Sequence, residues 1–200
     1  MTEPCIDPAS FEVVDGVVGP HSWLQWRHVA SEIAAGALVD PLTDVAEVLI
    51  HDLQAEWTNT TPVPQHAYGL CTRGASQVVV SANRRFVVEQ RRGWASGTAP
   101  ANPTPTQEIG RHGGGLNMGT AQNGAVSVFG IWERRQGTAT TPIGPDVVLA
   151  PGQTLKIRVA VYAVRITWAP PFQSNYIPET EMLIDSGDTQ LDIYAYPALT

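Results

Sequence analysis

The segment from Thr154 to Trp168 alternates in polarity with a period of two, and it constrains the fold more than any other segment. Alternate residues of a β-strand lie on opposite faces. One face carries Leu155, Ile157, Val159, Val161 and Ala163, and the other begins with Lys156 and Arg158 and becomes apolar at Tyr162 and Val164. Such a run would span about 50 Å at about 3.3 Å per residue, longer than a usual strand. We predict a strand with a bend or bulge near Val161 to Val164, beyond which another sheet or subunit covers the second face.

Further segments from Leu49 onward also read as strands, with Gly- or Pro-bearing breaks between most of them. The chain contains 18 Gly and 16 Pro, which favours short strands joined by turns over helical bundles. The predicted strands are 49–58, His66–Thr72, Gln77–Ala82, Arg85–Arg91, Ala125–Arg134 and Asp146–Leu149. Since no helical crossovers separate them, we expect an all-β fold, a β-sandwich or jelly-roll-like domain over residues 45–200.

The C-terminal segment repeats the alternation and places two tyrosines on one face. Leu191, Ile193 and Ala195 share one side, whereas Tyr194 and Tyr196 share the other. A tyrosine has an apolar ring and a polar tip, which suits an interface. Tyr194 and Tyr196 are therefore candidate interface residues, and the alternative is that they only lie over a polar sheet face.

Residues 1–44 lack the regularly spaced strand patterns of the later segments and are interpreted as an irregular N-terminal arm. Phe11–Val14 and Val17–Val18 flank Asp15-Gly16, which is typical of a β-hairpin turn. Val29, Ile33 and Ala37 at four-residue spacing are compatible with a short helix within 29–39. Trp23 and Trp26 would expose large apolar rings if the arm stands alone, so both are candidate interface residues.

The segment from Gly93 to Gln107 is predicted to be a long loop, because its prolines prevent regular strand pairing. Such loops usually reach a partner or stay mobile. Trp94, at its start, is a further candidate interface residue.

Charge and hydropathy exclude several classes of partner. The net charge is -7 and Lys156 is the only lysine, whereas nucleic-acid binding needs clustered cationic side chains. No segment approaches the roughly 20 apolar residues of a membrane span, and residues 1–8 do not resemble a signal peptide. We expect no nucleic-acid partner, no membrane insertion and a cytosolic origin, in which Cys5 and Cys71 are free thiols rather than a disulfide.

A search for catalytic or ligand-binding motifs gives one weak match. His112-Gly113-Gly114-Gly115 resembles the oxyanion loop of some esterases, but Gly93-Trp94-Ala95-Ser96-Gly97 places its serine one position too late for the matching nucleophile motif. The five histidines are scattered, and Asp185-Ser186-Gly187-Asp188 indicates a turn rather than a calcium loop. We therefore predict no catalytic residues, no cofactor and no metal, and keep an esterase only as a remote alternative.

Several short strings resemble minor tail proteins of siphoviruses that infect actinobacteria. The strings are Asn59-Thr60-Thr61-Pro62, Tyr68 to Gly74, Pro151-Gly152-Gln153-Thr154 and Ser186 to Asp192, and the likeness covers roughly residues 45–197. The resemblance implies a virion protein near the tail tip, built on a sandwich or jelly-roll and arranged around the tail axis in closed symmetry. It supplies no active-site residues.

Two functional hypotheses follow from these features. In the first, the chain is a structural tail protein that assembles in the host cytoplasm with copies of itself and with other phage tail proteins, its arm reaching a neighbour through Trp23 and Trp26. In the second, it is a carbohydrate-binding module for a host cell-wall glycan, in which Trp94, Trp132 or Trp168 stacks on sugar rings.

Overall fold

The computed structural model describes residues 11–14, 17–21, 24–39, 46–81, 86–113, 131–136, 139–165 and 182–198. Fourteen β-strands make up most of this part, and it contains no α-helix. In chain order they are β1 Phe11–Val14, β2 Val17–Pro20, β3 Arg27–Ala34, β4 Leu38–Val39, β5 Glu47–Thr58, β6 Gln65–Arg73, β7 Ser76–Ser81, β8 Phe86–Gly97, β9 Gln107–Gly113, β10 Ile131–Gln136, β11 Ala139–Leu149, β12 Thr154–Arg165, β13 Met182–Asp185 and β14 Thr189–Pro197.

Two four-stranded antiparallel sheets pack face to face and form a β-sandwich, as predicted. Sheet 1 has the order β11-β6-β14-β3, and sheet 2 has the order β5-β12-β8-β9. Their facing sides are the apolar halves of the alternating strands, because period-two side chains bury one face of each sheet. Fully buried residues of this core include Ala67, Leu155, Ile157, Val159, Val161, Leu191, Ile193 and Ala195. Burial of one such large side chain stabilises the fold by about 1.5–3 kcal/mol.

Strand β12 is one of the two central strands of sheet 2, and a register shift lies at the predicted position but belongs to its partner: β12 pairs with β8 from Thr154 to Arg165 without interruption. The pairing of β12 with β5 shifts register between Val161 and Tyr162, where His51 pairs with Val161 and Leu49 with Tyr162. The additional residue is therefore Ile50 on β5. The segment from 166 to 168 lies outside the described residues.

Sheet 3 continues sheet 1 strand for strand. Its order is β10-β7-β13-β4, and each of its strands is the chain neighbour of the strand at the same position in sheet 1. Thr189 pairs with Arg73 in sheet 1, and Asp185 pairs with Gln77 in sheet 3, so the same two chain segments run through both. Three of the four strands are interrupted at one level, which we call the joint. The joint comprises 35–37, 74–75 and 186–188, and residues 137–138 of the fourth position lie outside the described residues.

The N-terminal segment is only partly as predicted. The hairpin is confirmed, since β1 pairs antiparallel with β2 from Phe11↔Pro20 to Val14↔Val17. The short helix within 29–39 is wrong, because Arg27–Ala34 form β3, which pairs with β14 at the edge of sheet 1. The register of β3 shifts near His28, so its apolar residues do not alternate cleanly, and their four-residue spacing imitates a helix.

The proline-containing segment from Thr98 to Thr106 folds back over the outer face of sheet 2. Asn102 Oδ1 accepts hydrogen bonds from Gln54 Nε2 and Lys156 Nζ at 3.3 and 3.0 Å, and Pro103 and Pro105 are buried. Gly93 permits this approach, because a Cβ there would lie 2.4 Å from the Thr104 carbonyl oxygen. The predicted loop from Gly93 to Gln107 is therefore corrected in two respects: Gly93–Gly97 belong to β8 and Gln107 to β9, and the remaining segment packs on the sheet, because prolines exclude strand pairing but not packing.

Candidate interaction surface

The outer face of sheet 1 gathers aromatic side chains from three neighbouring strands. Tyr194 on β14 pairs with Tyr68 on β6 and with His28 on β3, and Tyr196 pairs with His66 on β6. Directly paired residues share a face of the sheet. Since Ile193 and Ala195 are buried in the core, their neighbours Tyr194 and Tyr196 point outward. We call this surface, together with Trp26 beside it, the aromatic face.

The rings of the aromatic face stack on one another. The centroids of Trp26 and Tyr194 are 4.6 Å apart with an interplanar angle of 13°, and those of Tyr68 and Tyr194 are 5.6 Å apart. His66 and Tyr196 form a second stack at 4.7 Å and 6°. The rings are therefore nearly parallel within each stack, and each covers part of a face of its neighbour. Aromatic pairs of this kind contribute about 0.5–1.5 kcal/mol beyond area burial.

Hydrogen bonds hold the polar tips of these rings in place. Trp26 Nε1 donates to the Tyr68 hydroxyl at 3.0 Å. The Tyr196 hydroxyl donates to Asp146 Oδ2 at 2.5 Å, and His66 Nδ1 lies 3.1 Å from Asp146 Oδ1. The bond to Asp146 raises the pKa of Tyr196, because it is lost when the phenol ionises. These hydrogen bonds within the chain therefore fix the orientation of the polar tips of the rings.

A second carboxylate orients the β3 side of the aromatic face. Asp192 Oδ1 lies 2.8 Å from His28 Nε2 and accepts a bond from Gln190 Nε2 at 2.9 Å. The His28 and Tyr194 ring centroids are 5.1 Å apart. Two carboxylates, Asp146 and Asp192, thus fix the two ends of the aromatic face, and both are already hydrogen-bonded.

Exposed aliphatic side chains extend the aromatic face across all four strands of sheet 1. Val148 on β11 pairs with His66 and is 55% exposed. Ile33 on β3 pairs with Gln190 and is 66% exposed, and Trp26 is 58% exposed. Gln190, Asp192 and Ser31 separate Ile33 from the rings, so the apolar part of this face is centred on the aromatic stack. Clustered exposed apolar groups are typical of interaction sites, whereas single ones are common on any surface.

The outer face of sheet 2 has the opposite chemistry. Arg158 donates to both carboxylate oxygens of Asp52 at 2.7 and 2.6 Å, and this bond lowers the pKa of Asp52. Arg91 makes a similar two-bond contact with Glu47 at 3.0 and 2.6 Å. The charged pairs and the Thr98–Thr106 segment cover much of this side, where Leu49, opposite Tyr162, is an exposed apolar side chain. Stacked aromatic rings therefore characterise the outer face of sheet 1, and ion pairs characterise that of sheet 2.

The predicted interface residues separate into two groups. Trp26, Tyr194 and Tyr196 meet on the aromatic face, whereas Trp94 lies elsewhere, 40% exposed and against Gly144. Gly144 has a φ of 80°, and a Cβ there would lie 2.6 Å from the Trp94 ring. Trp23 and Trp168 lie outside the described residues, and Trp132 is in β10.

Sequence reasoning missed three members of the aromatic face, namely His28, His66 and Tyr68. The alternation of His66, Tyr68 and Leu70 with Ala67 and Cys71 along β6 would have shown that the first set shares a face. Their contact with Tyr194 and Tyr196 depends on the pairing of β6 with β14, which are far apart in the sequence.

A buried polar cluster lies at the joint between sheets 1 and 3. His51 Nε2 lies 2.7 Å from Ser186 Oγ, which also accepts a bond from the Ala37 N–H at 2.9 Å. Arg73 Nη2 donates to the Ser186 carbonyl oxygen. Burial lowers the pKa of His51, and the neighbouring Arg73 charge acts in the same direction. Ser186 is 0% exposed, so this serine–histidine contact joins strands rather than facing a substrate cleft.

Cys71 is a free thiol in the same interior. Gln90 Nε2 donates to its Sγ at 2.9 Å, and burial raises the pKa of Cys71 to about 12. A thiol of this kind is a poor nucleophile, because the reactive form is the thiolate. Cys5 lies outside the described residues.

The remaining sequence candidates offer no assembled catalytic or metal centre in the described part of the chain. His112 and Gly113 belong to β9 and pair with Val88 and Val87, and Gly114 and Gly115 lie outside the described residues. Ser186, Gly187 and Asp188 connect β13 to β14 without reversing the chain, so the predicted turn is wrong: the two strands do not pair with each other but continue from sheet 3 into sheet 1. Over the described residues, no group of three or more His, Cys, Asp or Glu side chains could hold a metal ion, and no helix could cross a membrane.

The fold and this surface together define an all-β sandwich protein with an aromatic outer face on sheet 1. The family described as "Domain of unknown function (DUF7172)" matches residues 1–200, and the chain belongs to that family. No curated protein and no solved structure matches the chain.

Proposed function

We propose that the chain is a non-enzymatic structural component of a bacteriophage tail, located in the virion and assembled in the host cytoplasm. It joins other tail proteins through the aromatic face and also associates with copies of itself. The short strings that resemble siphovirus minor tail proteins support the tail assignment, and the confirmed β-sandwich is the fold that this resemblance implies.

One observation carries the assembly role: sheet 1 exposes stacked aromatic rings while much of the outer face of sheet 2 is covered by ion pairs and its own loop. Trp26 and Tyr194 are already ordered by stacking, so a partner that covers them loses little side-chain entropy. Tyrosine and tryptophan are enriched in interfaces and in the residues that dominate binding energy. A protein partner that buries these rings is thus the simplest explanation for their exposure.

Mass spectrometry and particle assembly test this proposal. The chain should be present in purified virions of the phage that encodes it. A Trp26→Ala, Tyr194→Ala double variant should fold normally but enter particles at least about tenfold less well than wild type, since central aromatic residues of interfaces each contribute about 2 kcal/mol or more. Trp94→Ala is the matched control, because Trp94 is exposed but lies off the aromatic face. Absence from virions, or equal incorporation of all three proteins, would contradict the proposal.

Carbohydrate binding is the second candidate function, and the position of Trp26 favours it. Trp26 is at the end of the stack beside the Tyr68 hydroxyl, so one side of its ring remains available for a sugar. Because Tyr194 is enclosed between Trp26 and Tyr68, the face offers an end-ring contact rather than a flat platform. Calorimetric titration with host cell-wall polysaccharide should then show binding that Trp26→Ala abolishes and Trp94→Ala retains. A flat titration would remove this candidate.

A further inference from the structure

Strand β3 ends sheet 1 as an open edge. Among the described strands it is hydrogen-bonded only to β14, so one row of its backbone N–H and C=O groups lacks a strand partner. Its sequence, Arg-His-Val-Ala-Ser-Glu-Ile-Ala, contains neither Pro nor Lys, the residues that commonly prevent edge-to-edge pairing. The register shift near His28 and the inward-pointing charges of Arg27 and Glu32 also discourage pairing, so this edge can accept only a strand that matches both.

Arg27, the first residue of β3, carries an unsatisfied guanidinium. Its Nε and Nη2 atoms are shielded from solvent and have no hydrogen-bond partner within the described part of the chain. The group lies 5.7 Å from the centroid of the Trp57 ring, and burial lowers its pKa. A shielded cation without an anion is costly. The position calls for a carboxylate that the described residues of its own chain do not supply.

Glu32 is an exposed carboxylate on the same strand and on the same side as Arg27. Arg27 pairs with Ala195, and Glu32 pairs with Leu191, both of which are buried in the core. An odd spacing would normally place the two on opposite faces. The register shift beside His28 brings both to the core-facing side of β3.

We infer that β3 pairs antiparallel with β3 of a second copy, with Arg27 opposite Glu32 of that copy. A two-fold axis between Val29 and Ala30 gives this register, and it also places His28 opposite Ser31 of the second copy. Directly opposed residues have Cβ atoms about 4.5–5.5 Å apart, within reach of an arginine–carboxylate pair. The symmetry creates the ion pair twice, as an isologous interface requires.

This pairing rests on the proposed self-assembly and specifies its first contact. It joins two four-stranded copies of sheet 1 into one continuous sheet. Trp26, which precedes β3, and His28, which lies within it, would then be at the junction, so the aromatic faces of the two copies become neighbours. A larger tail partner would meet a surface about twice as wide as one copy offers.

Charge exchange tests the pairing by analytical ultracentrifugation of the purified full chain. Wild type should form a dimer. Glu32→Arg and Arg27→Glu should each weaken it at least about 30-fold, because each places like charges opposite one another twice. The double variant restores both pairs and should recover the wild-type constant within about threefold. Glu108→Arg, at the opposite edge of sheet 2, is the control with the same change of charge and should dimerise as wild type does.

The outcomes separate this inference from the proposed function. Since Glu32 is exposed, Glu32→Arg should fold, as thermal unfolding can verify, and it remains informative even if Arg27→Glu does not fold. A monomeric wild type, an undisturbed Glu32→Arg dimer, or a folded double variant that stays monomeric would each overturn the β3 pairing. None of these results bears on virion incorporation, which Trp26→Ala, Tyr194→Ala tests independently.

Discussion

Substitution of Gly69 by alanine tests how closely the two sheets approach. Gly69 lies in the middle of β6, and a Cβ there would be 2.8 and 2.9 Å from Cδ1 and Cγ2 of Ile157 on β12. Carbon atoms in favourable contact are about 3.5–4.0 Å apart, so the added methyl requires a shift of buried atoms. Overpacking costs about 1–3 kcal/mol, and the entropic gain of Gly→Ala returns about 0.5–1 kcal/mol. We expect a net loss of about 1.5 kcal/mol.

A double-mutant cycle isolates the contact. Ile157→Ala alone should cost about 3.5 kcal/mol, near the middle of the range for large-to-small changes at a fully buried position. In the double variant the alanine methyl at position 69 occupies part of the vacated space. The total loss should therefore be about 3 kcal/mol rather than the additive 5 kcal/mol, a coupling of about 2 kcal/mol. Urea denaturation followed by tryptophan fluorescence measures each value.

A matched glycine controls for the backbone effect. At Gly110 a Cβ would meet only Gln90 Oε1, at 3.7 Å, so Gly110→Ala should leave stability unchanged or raise it slightly. The reasoning fails if Gly69→Ala is as stable as Gly110→Ala, or if the losses at Gly69 and Ile157 simply add.

Three further predictions concern the joint and the interior. Gly187→Ala should cost at least about 2 kcal/mol and lower Tm by about 4–8 °C, because Gly187 has a φ of 68° and a Cβ would lie 2.4 Å from the Ala75 carbonyl oxygen; an unchanged thermal unfolding curve would contradict it. Burial lowers the pKa of His51, so the unfolded chain binds a proton at this side chain more tightly than the folded chain does. The contribution of neutral His51 to the free energy of unfolding is therefore complete above the ordinary pKa of about 6.5 and is lost as the pH falls toward the lower pKa of the folded state. His51→Gln should flatten the fall in stability between pH 7.5 and 5 in denaturant titrations, and an identical pH profile would exclude this role. Because the pKa of Cys71 is raised to about 12, a Cys5→Ser variant should react with a thiol reagent at pH 8 only after denaturant is added, and rapid native labelling would contradict this.

The strands of the core could be predicted from the sequence because their signal is local. In β12, residues two apart share an environment, so Ile157 and Val159 indicate both the strand and its buried face. The same period-two alternation predicted that Tyr194 and Tyr196 share the face of β14 opposite the core residues, and the structure confirms this.

Features that depend on pairing between distant segments could not be predicted in this way. Strand β3 is an edge strand with a register shift near His28, so its alternation is interrupted and the spacing of Val29 and Ile33 imitates a helix. The stack of Tyr68 on Tyr194 exists only because β6 lies beside β14. The joint depends likewise on His51 and Ser186, which meet from different sheets and distant parts of the sequence.

The joint also determines how the shape of the molecule can change. Because the strands of sheets 1 and 3 are interrupted together, the angle between these sheets is set by a few connecting residues and by the contacts of Ser186 with His51 and Arg73. A rotation there would alter backbone angles between 74 and 75 and between 186 and 188 while every register within each sheet stays intact. The curvature of the surface formed by sheets 1 and 3 could therefore change while the strand pairing within each sheet stays the same.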